Sequence, residues 1–574
     1  MLRTKTCGEL TALNENEEVV LCGWVDTIRN LGSFAFVDLR DRYGITQLYF
    51  GGGLFSDYDI RIEDCIQVKG IVRIRKEANP KIATGEIEII VSEVVTFSKA
   101  KTTPFPIRNE ITASEDTRLE YRYLDLRRPR MQNYIQTRSD INKSVREYFY
   151  ENNFIEIDTP TLIKSTPEGA RDYLVPSRIY PGSFYALPQS PQIYKQLLMV
   201  SGFDRYFQLA HCYRDEDQRA DRQPEFMQID VEMSFVERED VLQIIEGLLD
   251  KVFLDVKGVV LPPFERISYS EAISKYGSDK PDLRYGLCIS EVSDIMEPAF
   301  PAYNGKHVHA IVIPVQASVT RKEQDADNDL AKKFRVFGVS HLKYVNGEFE
   351  GSLSKKIDPS VLSSLARRLS LGDGDLVILC ADAKSDKACI ALGALRCFYA
   401  QKLGLTDKNT YKPCFILDWP MFEREDDGSI ECLSNPFTRP VDEDVKLLWA
   451  EPEKVRTYAY DTVLNGVELS SGALRIYDAD VQNKVFELLG LSDDAISERF
   501  GFLVEALKYG VPPEGGFGIG IERLAMEIAR TDNVRDVVAF PKNLKACEPM
   551  SQCPSPVGKE DLDVLGIEVK EKKD

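Results

Sequence analysis

The chain has 574 residues, more than one hydrophobic core can organise, so we expect about three or four domains. Its 92 acidic residues outnumber 72 basic ones, and the net charge of −20 excludes binding of nucleic acid through overall positive charge; an RNA partner would need local basic patches and base contacts. Twelve cysteines without a CxxC pair and only four histidines argue against a zinc site or a disulfide framework.

Membrane association is not expected. No apolar run approaches the length of a membrane span, and the N-terminal sequence MLRTKTCGEL has no apolar signal region. These features predict a cytoplasmic protein with no membrane partner.

Residues 1–104 are predicted to form a small all-β domain. Five short runs alternate apolar and polar residues between turn residues, at 19–25, 34–39, 46–50, 65–74 and 86–95. Five strands suggest an OB-fold barrel, a common platform for single-stranded nucleic acid. An OB-like spacer without a binding role is the alternative.

Residues 105–132 are predicted to form a connector. Six arginines lie between Arg118 and Arg138, at positions 118, 122, 127, 128, 130 and 138. They either form salt bridges within the linker or line a basic hinge beside an RNA backbone, and the sequence favours neither.

A helix and a strand are predicted next. Apolar and aromatic residues at helical spacing indicate a helix over 131–153, and FIEIDTPTLI (154–163) alternates as a strand with Pro160 ending the extended segment. The sequence STPEGARDYLVPS (165–177) then predicts a turn, which either moves or is a plain surface turn.

A second helix is predicted to begin near Pro191. It would place Ser190, Gln192 and Lys195 together at a helix N-terminus, where the backbone favours anions.

A strand, a densely charged loop and a returning antiparallel strand are predicted over 204–235. Arg214 stands at the end of the first strand, Glu216 follows two residues later, and Phe226 lies on the return strand. An arginine, an acid and an aromatic ring on one hairpin suit a nucleotide bound by its α-phosphate and its adenine. A solvated loop is the alternative. Asp230 and Glu232 share one face of the return strand.

Composition changes between about 283 and 412, where strand-like and helix-like runs alternate and indicate an α+β insertion. His307, His309 and His341 are too few and too separated to predict a metal site, so we interpret them as structural.

The segment 458–478 predicts a strand, an Asn-Gly turn and a second strand. Asp461 and Glu468 bracket this turn, and two carboxylates there suit Mg²⁺. Further on, GGFGIGIERLAMEIA (515–529) predicts a glycine-rich strand leading into an amphipathic helix that carries Arg523. Glycine clusters alone are weak indicators, since they are common wherever packing is tight.

Three of these segments resemble the signatures of class II aminoacyl-tRNA synthetases, in the bacterial aspartyl form. RDEDQRADRQPEF resembles motif 2, the segment 131–163 resembles motif 1, and GGFGIGIERLAMEIA resembles motif 3. The resemblance implies an α/β multidomain fold of the α+β kind and a homodimer formed through motif 1. Its domains would be an OB-fold anticodon-binding β-barrel (1–104), a hinge (105–132), a class II antiparallel-sheet catalytic domain (133–282 and 413–555), an inserted α+β domain (283–412) and a C-terminal tail (556–574).

The resemblance also implies roles for particular side chains. Catalysis would depend on Arg214 and Arg523. ATP would bind to Arg214, Glu216, Gln223, Phe226, Glu468, Gly520, Ile521, Glu522 and Arg523. L-Aspartate would bind to Glu168, Ser190, Gln192, Lys195, Arg214, Asp230, Ser434 and Arg475. Mg²⁺ would bind to Asp461 and Glu468. The tRNA anticodon would be recognised by Arg29, Leu31, Phe36, Gln47 and Glu88.

The implied activity is aspartate–tRNA ligation: L-aspartate is activated by ATP to aspartyl-adenylate and then transferred to the 3′ end of tRNA-Asp. Leu31 stands where relatives that also charge tRNA-Asn often carry histidine, which favours tRNA-Asp alone over charging of both. An asparaginyl enzyme is disfavoured, because an amide would leave buried Lys195 and Arg475 uncompensated.

A catalytically silent RNA-binding relative is a further alternative. The sequence LSNPFT places Ser434 and Asn435 where bacterial members usually carry two histidines, and neither residue can supply the positive charge of an imidazolium.

Overall fold

The chain divides into two compact units. The computed structural model describes residues 1–166, 169–314, 319–424 and 428–570. The first unit contains Met1–Thr137, Gln218–Arg222 and Thr531–Pro556, and the second contains the rest of the described chain. Within these ranges no helix has both the length and the apolarity that crossing a membrane requires.

A closed five-stranded barrel forms the core of the first unit. Its strands are β1 (Glu18–Asn30), β2 (Ala35–Arg40), β3 (Ile45–Phe50), β4 (Cys65–Ile74) and β5 (Ile87–Ser98), paired in the order β1-β2-β3-β5-β4. Val19, Leu21 and Val25 of β1 point into the barrel core. The predicted OB-fold barrel is confirmed. However, β1 continues to Asn30 because its polar end still pairs with β2 after a bulge.

The connector arginines are held by acids. Two short helices, α1 (Glu115–Glu120) and α2 (Arg122–Asp125), lie in the connector. Asp125, the last residue of α2, is fully buried and accepts hydrogen bonds from Arg118, Arg122 and Arg128. The remaining three pairs are Arg127–Glu63 at 3.0 Å, Arg130–Glu110 at 3.6 Å and Arg138–Glu522 at 2.7 Å. The structure therefore favours the salt-bridge alternative for this cluster.

The strands and helices that follow are short to medium in length. The strands are β6 (Ile155–Glu156), β7 (Leu174–Pro176), β8 (Phe184–Ala186), β9 (Arg205–Tyr213), β10 (Glu225–Ser234), β11 (Glu265–Ser268), β12 (Ile289–Glu291), β13 (His307–Ile313), β14 (Val339–Val345), β15 (Glu348–Glu350), β16 (Leu376–Asp382), β17 (Pro413–Leu417), β18 (Phe422–Arg424), β19 (Ile430–Cys432), β20 (Ala459–Leu464), β21 (Val467–Leu474) and β22 (Glu514–Gly520). The helices are α3 (Pro129–Glu151), α4 (Gln192–Val200), α5 (Arg238–Lys257), α6 (Tyr269–Tyr276), α7 (Ser293–Met296), α8 (Arg321–Lys332), α9 (Pro359–Arg368), α10 (Ser385–Lys402), α11 (Ala479–Leu488), α12 (Asp493–Ala506), α13 (Ile521–Ala529) and α14 (Lys559–Leu565).

An eight-stranded sheet organises the second unit. Its order is β11-β17-β20-β21-β22-β10-β9-β6, so β22 lies between β21 and β10 although it comes last in the chain. The predicted hairpin is confirmed, since β9 and β10 pair antiparallel along their length. The predicted Asn-Gly turn is confirmed as well: Asn465 and Gly466 both have positive φ, and they connect the antiparallel strands β20 and β21.

The strand predicted over 154–163 is much shorter than expected. Only Ile155–Glu156 forms strand β6, which runs parallel to β9. Further along, the main-chain N–H of Thr159 donates to the Gln208 side chain instead of to a strand, at 3.2 Å, and Pro160 has no N–H to continue a ladder. The alternation of apolar and polar side chains therefore predicted too long a strand.

The predicted α+β insertion contains a second sheet, of order β12-β13-β16-β14-β15. Two clusters of buried apolar side chains pack on its faces, one including Ala388 and Leu392 of α10 and the other Leu365 of α9. His309 lies 2.9 Å from Ser385, and His341 lies 2.9 Å from Asp327.

Candidate active site

One face of the large sheet collects most of the predicted site. Phe226, Asp230 and Glu232 occupy alternate positions of β10 and so point to the same side. Asp230 lies opposite Gly518, Gly518 opposite Ser471, and Ser471 opposite Asp461. Because directly opposed residues in antiparallel strands share a face, one surface carries Phe226 of the predicted ATP site, Asp230 of the aspartate site and Asp461 of the Mg²⁺ site.

The glycines of β22 make room on this surface. Gly516 lies opposite Glu232, and a Cβ atom there would overlap the Glu232 carboxylate and the Val231 carbonyl. At Gly518 a Cβ atom would meet only Gln228, at an ordinary 3.4 Å. The glycine-rich sequence, a weak indicator by itself, therefore reflects a specific need to seat Glu232.

Four buried side chains form the centre of the predicted aspartate pocket. Lys195 Nζ on α4 lies 2.8 Å from Asp230 Oδ1 and 3.3 Å from Glu232 Oε2. Arg475 Nε and Nη2 donate to the two Glu232 oxygens at 2.8 and 3.2 Å. All four side chains are at most 4% exposed, so these charges interact with little screening by water.

Some polar atoms in this pocket lack partners among the described residues. They are Asp230 Oδ2 and Gln192 Nε2, both of which are buried. Burial raises the pKa of Asp230, although the Lys195 ammonium opposes that effect. Buried polar atoms are normally satisfied, so an acceptor and a donor without partners mark a place where a polar ligand fits.

The expectation that Lys195 and Arg475 have no compensating charge without a carboxylate ligand is wrong. Glu232 lies between them, forming an ion pair with Lys195 and accepting hydrogen bonds from Arg475, so it neutralises them in the protein itself. The sequence did indicate that Glu232 shares the strand face of Asp230. Strand periodicity cannot show, however, that Lys195 of α4 and Arg475 at the end of β21 both reach Glu232.

Arg214 and Phe226 lie close together on the hairpin of β9 and β10. The guanidinium carbon of Arg214 lies 5.0 Å from the centroid of the Phe226 ring, and the Arg214 main-chain N–H donates to Pro224 across the loop. Arg214 Nε is buried without a hydrogen-bond partner among the described residues. Glu216 and Gln223 flank this pair in the same loop, and Gln223 is buried.

Arg523 contacts Glu468, one of the two predicted metal ligands. Its Nη1 donates to the Glu468 main-chain oxygen at 3.1 Å and lies 3.9 Å from Glu468 Oε1. Burial, together with the negative charge of Glu468, raises the pKa of Asp461 to about 8. Two carboxylates that repel each other without a cation between them fit a divalent metal, although no cluster of three or more ligating side chains occurs in the described ranges.

Glu522 and Ile521, both predicted to bind ATP, are buried. The Glu522 carboxylate is buried and accepts from the Met227 main-chain N–H and from Arg138, so it anchors α13 to β10 and α3. Ile521 is fully buried, which leaves only its main chain for a nucleotide. Sequence spacing alone could not separate an anchoring acid from a ligand-binding one.

The remaining aspartate-site predictions are placed as follows. Ser190 precedes Pro191 at the start of α4. The Ser434 hydroxyl donates to Thr438 at 3.3 Å, and Thr438 forms a β-bridge with Arg475, which brings the loop of Ser434 to the pocket. Glu168 lies outside the described residues.

One connected patch on the barrel contains four of the five predicted anticodon residues: Arg29, Phe36, and the buried Gln47 and Glu88. Arg29 donates to Gln47 at 3.0 Å, and Gln47 donates to Glu88 at 2.9 Å. Phe36 lies under the Arg29 guanidinium at 5.7 Å. Leu31 is exposed in the turn after β1.

Two further members of this patch were missed by the sequence analysis. Tyr49 packs against Phe36, with ring centroids 5.7 Å apart, and Arg73 stacks on Tyr49 at 4.7 Å while binding Glu88. Register could have indicated Tyr49, which lies directly opposite Phe36. The contact of Arg73 depends on barrel closure.

Two family profiles match this chain. The profile described as tRNA synthetases class II (D, K and N) spans residues 114–544, and that of the OB-fold nucleic acid binding domain spans residues 19–96. The chain belongs to the class II tRNA synthetases (D, K and N).

Curated relatives match over nearly full length. An aspartate–tRNA(Asp/Asn) ligase of Caldanaerobacter subterraneus subsp. tengcongensis is 47% identical, with 99% of this chain and 98% of the relative covered. An aspartate–tRNA ligase of Lysinibacillus sphaericus is 45% identical, with 99% of each chain covered.

Solved structures share the fold. The asparaginyl-tRNA synthetase of Pyrococcus horikoshii with asparaginyl-adenylate has a TM-score of 0.60 at 18% identity, covering 94% of this chain and 98% of that one. The aspartyl-tRNA synthetase of Entamoeba histolytica has a TM-score of 0.56 at 19% identity, covering 93% and 90%. At such identities the likeness concerns the fold alone.

Proposed function

We propose that this chain is an aspartate–tRNA ligase. It activates L-aspartate with ATP to aspartyl-adenylate, releasing diphosphate, and then transfers the aspartyl group to the 3′ end of tRNA-Asp, releasing AMP. The observation that carries the proposal is the single sheet face on which Arg214 and Phe226 lie beside the buried cluster of Lys195, Asp230 and Arg475. Relatives named for this activity support it.

In the first step an oxygen of the aspartate α-carboxylate attacks the α-phosphorus of ATP. A phosphorus–oxygen bond forms, the bond to the bridging oxygen of the β-phosphate breaks, and diphosphate leaves with the electron pair. No protein nucleophile is required, so the protein contributes positioning and charge. Arg214 binds the α-phosphate, and Phe226 stacks on the adenine.

The amino acid is held by the buried cluster. Asp230, with an oxygen free of partners among the described residues, accepts from the substrate ammonium, and Gln192 supports it. Lys195 and Arg475 orient the side-chain carboxylate. Ser434 contributes a hydroxyl near Arg475 but no charge.

Asp461 and Glu468 would hold Mg²⁺, with Arg523 beside them. The metal would neutralise phosphate charge, which Arg523 also does. The residues fit because two adjacent carboxylates, one of which has a raised pKa, gain from a cation.

The barrel patch binds the anticodon. Phe36 stacks an unpaired base, Gln47 and Glu88 read base edges, and Arg29 stacks over Phe36. The enzyme acts in the cytoplasm as a homodimer, assembled through α3 and the segment that follows it.

A second candidate is an enzyme that charges both tRNA-Asp and tRNA-Asn. The name of the Caldanaerobacter relative favours it, whereas Leu31 favours tRNA-Asp alone. Charging of purified tRNA-Asp and tRNA-Asn with labelled aspartate decides between the two.

Aspartate-dependent ATP–diphosphate exchange tests the main proposal. We expect exchange with aspartate and not with asparagine, and a loss of at least about 100-fold in Arg214→Ala. Arg499→Ala, which removes an exposed arginine on α12, is the matched control and should keep full activity. Exchange driven by asparagine would indicate an asparaginyl enzyme, and no exchange with either amino acid would indicate a silent relative.

A further inference from the structure

Glu514 is a buried acid that the proposed mechanism does not use. It opens β22 and lies directly opposite Ser234 of β10. Its main-chain oxygen accepts from the Arg475 N–H at 2.9 Å. Since Glu514 and Gly516 are two residues apart on β22, and Ser234 and Glu232 are two apart on β10, the Glu514 side chain projects from the same sheet face as Glu232.

The Glu514 carboxyl group has little solvation. The residue is 3% exposed, and its Oε2 atom is buried without a hydrogen-bond partner among the described residues. The hydroxyl of Ser234 across the strand pair is also buried and without such a partner. An ionised carboxylate in that position would be costly, because nothing in the described chain donates to this oxygen.

Charged groups reach this position from β10, from the end of β21 and from α4. Glu232 comes from β10, Arg475 follows β21, and Lys195 comes from α4, while the Tyr460 hydroxyl of β20 donates to the Gly516 main chain. Burial, and next the negative charge of Glu232, raise the pKa of Glu514 well above its ordinary value, and Arg475 and Lys195 only partly offset this.

The charges of the amino-acid pocket indicate a function for Glu514. The pocket contains two cations, Lys195 and Arg475, and three acids, Asp230, Glu232 and Glu514. Aspartate adds one ammonium and one side-chain carboxylate, apart from the α-carboxylate that reacts. The ammonium pairs with Asp230, so the substrate carboxylate joins Lys195, Arg475, Glu232 and Glu514. These charges balance only when Glu514 is neutral, whereas in a pocket without a substrate carboxylate the two cations and the two glutamates balance when Glu514 is ionised.

We propose that Glu514 determines specificity in the amino-acid pocket by admitting the dicarboxylate substrate only when its own carboxyl group carries a proton. This inference rests on the proposed function, aspartate activation. Asparagine has no side-chain charge, so the protonation of Glu514 should affect it far less. The pocket thus distinguishes substrates by side-chain charge through Glu514 as well as through Lys195 and Arg475.

The test compares the wild type with Glu514→Gln, which has the shape of the protonated acid and cannot ionise. The KM for aspartate is measured by ATP–diphosphate exchange from roughly pH 6 to pH 9. We expect the wild-type KM to rise with pH, approaching about tenfold per pH unit above the pKa of Glu514, while kcat changes less. The KM of Glu514→Gln should stay level across this range.

A second measurement follows proton uptake directly. Calorimetric titration of aspartate into wild-type enzyme, in buffers of different ionisation enthalpy, should detect proton uptake at the alkaline end of the range, and Glu514→Gln should lack it. Glu505→Gln, which alters an exposed acid on α12 paired with Lys508, should behave as the wild type in both assays.

Three outcomes would overturn the inference. One is a Glu514→Gln profile that matches the wild type, another is aspartate binding without proton uptake throughout the range, and the third is a KM for aspartate raised more than about tenfold at every pH in a folded Glu514→Gln enzyme. A wild type that exchanges with no amino acid at any pH would overturn the proposed function and this inference together.

Discussion

The Glu232 carboxylate accepts two hydrogen bonds from the Arg475 guanidinium, at 2.8 Å from Nε and 3.2 Å from Nη2, deep in the large sheet. Glu232→Gln would remove the charge that neutralises Arg475 and Lys195. We expect the free energy of unfolding, measured in urea, to fall by about 3 kcal/mol or more, because uncompensated buried charges are costly. Glu239→Gln, which loses an exposed pair with Arg266, should change it by less than about 1 kcal/mol.

Gly516 and Gly518 form a matched pair for testing how β22 fits its neighbours. Gly516→Ala should lower the free energy of unfolding by about 1–3 kcal/mol, because its Cβ overlaps the Glu232 carboxylate and the rigid Val231 carbonyl. Gly518→Ala meets only Gln228, at 3.4 Å, and should cost less than about 1 kcal/mol. Thermal unfolding of both variants checks this; equal losses would contradict the account of the glycine-rich strand.

Asp125 is expected to make the first unit sensitive to acid. Burial acts to raise the pKa of Asp125, but hydrogen bonds from Arg118 and Arg128 outweigh it and hold the pKa below its usual value. Because the folded-state pKa is lower than the unfolded one, near 3.9, this stabilisation is fully present above about pH 4 and is lost as the pH falls through the folded-state pKa.

Asp125→Asn should therefore destabilise the protein at neutral pH by about 3–5 kcal/mol, and its loss of stability in acid should be shallower than that of the wild type. Unfolding monitored from roughly pH 7 to pH 2 measures both effects. Asp116→Asn, at an exposed position of α1, is the control and should follow the wild-type curve.

Metal dependence tests the roles of Asp461 and Glu468. In each of the variants Asp461→Asn and Glu468→Gln, the Mg²⁺ concentration for half-maximal exchange should rise by at least about tenfold, because one of two anionic ligands is lost. Removal of Mg²⁺ with a chelator should stop exchange in the wild type. An unchanged Mg²⁺ requirement in both variants would contradict the assignment, and Glu487→Gln, which affects an exposed acid of α11, serves as the control.

The barrel patch can be tested apart from the amino-acid site. Gln47→Ala breaks the chain of hydrogen bonds from Arg29 to Glu88, and it should raise the KM for tRNA-Asp about 10–100-fold while amino-acid exchange stays unchanged. Gln67→Ala removes a glutamine from β4 whose side chain bonds to the N-terminal segment and to Cys22, and it should leave the KM for tRNA unchanged.

Local sequence patterns correctly predicted the strands and turns that neighbouring residues alone determine. Alternation located the barrel strands, and Asn465–Gly466 fixed the hairpin of β20 and β21, because such turns determine their own register. Alternation failed at 154–163, where Thr159 and Pro160 end pairing without interrupting the pattern. Side-chain periodicity indicates which face of a strand each residue occupies, but it does not indicate whether a neighbouring strand is present to pair with that segment.

Contacts between distant segments were beyond local patterns. Glu522 looked like a ligand-binding residue by its position after the glycines, yet it anchors Met227 and Arg138. No sequence pattern predicted a role for Glu514, because a single acidic residue before a glycine run belongs to no periodic motif. Both depend on β22 lying beside β10, a neighbour relationship that the order of the sequence does not reveal.

The position of β22 also limits when activity can begin. During translation the hairpin of Arg214 and Phe226 leaves the ribosome early, whereas Gly516 and Arg523 emerge only near the end of synthesis. Until then β10 has an open edge where β22 will pair, and Glu232 has no Arg475 beside it. A nascent or prematurely terminated chain that lacks β22 should therefore show no ATP–diphosphate exchange.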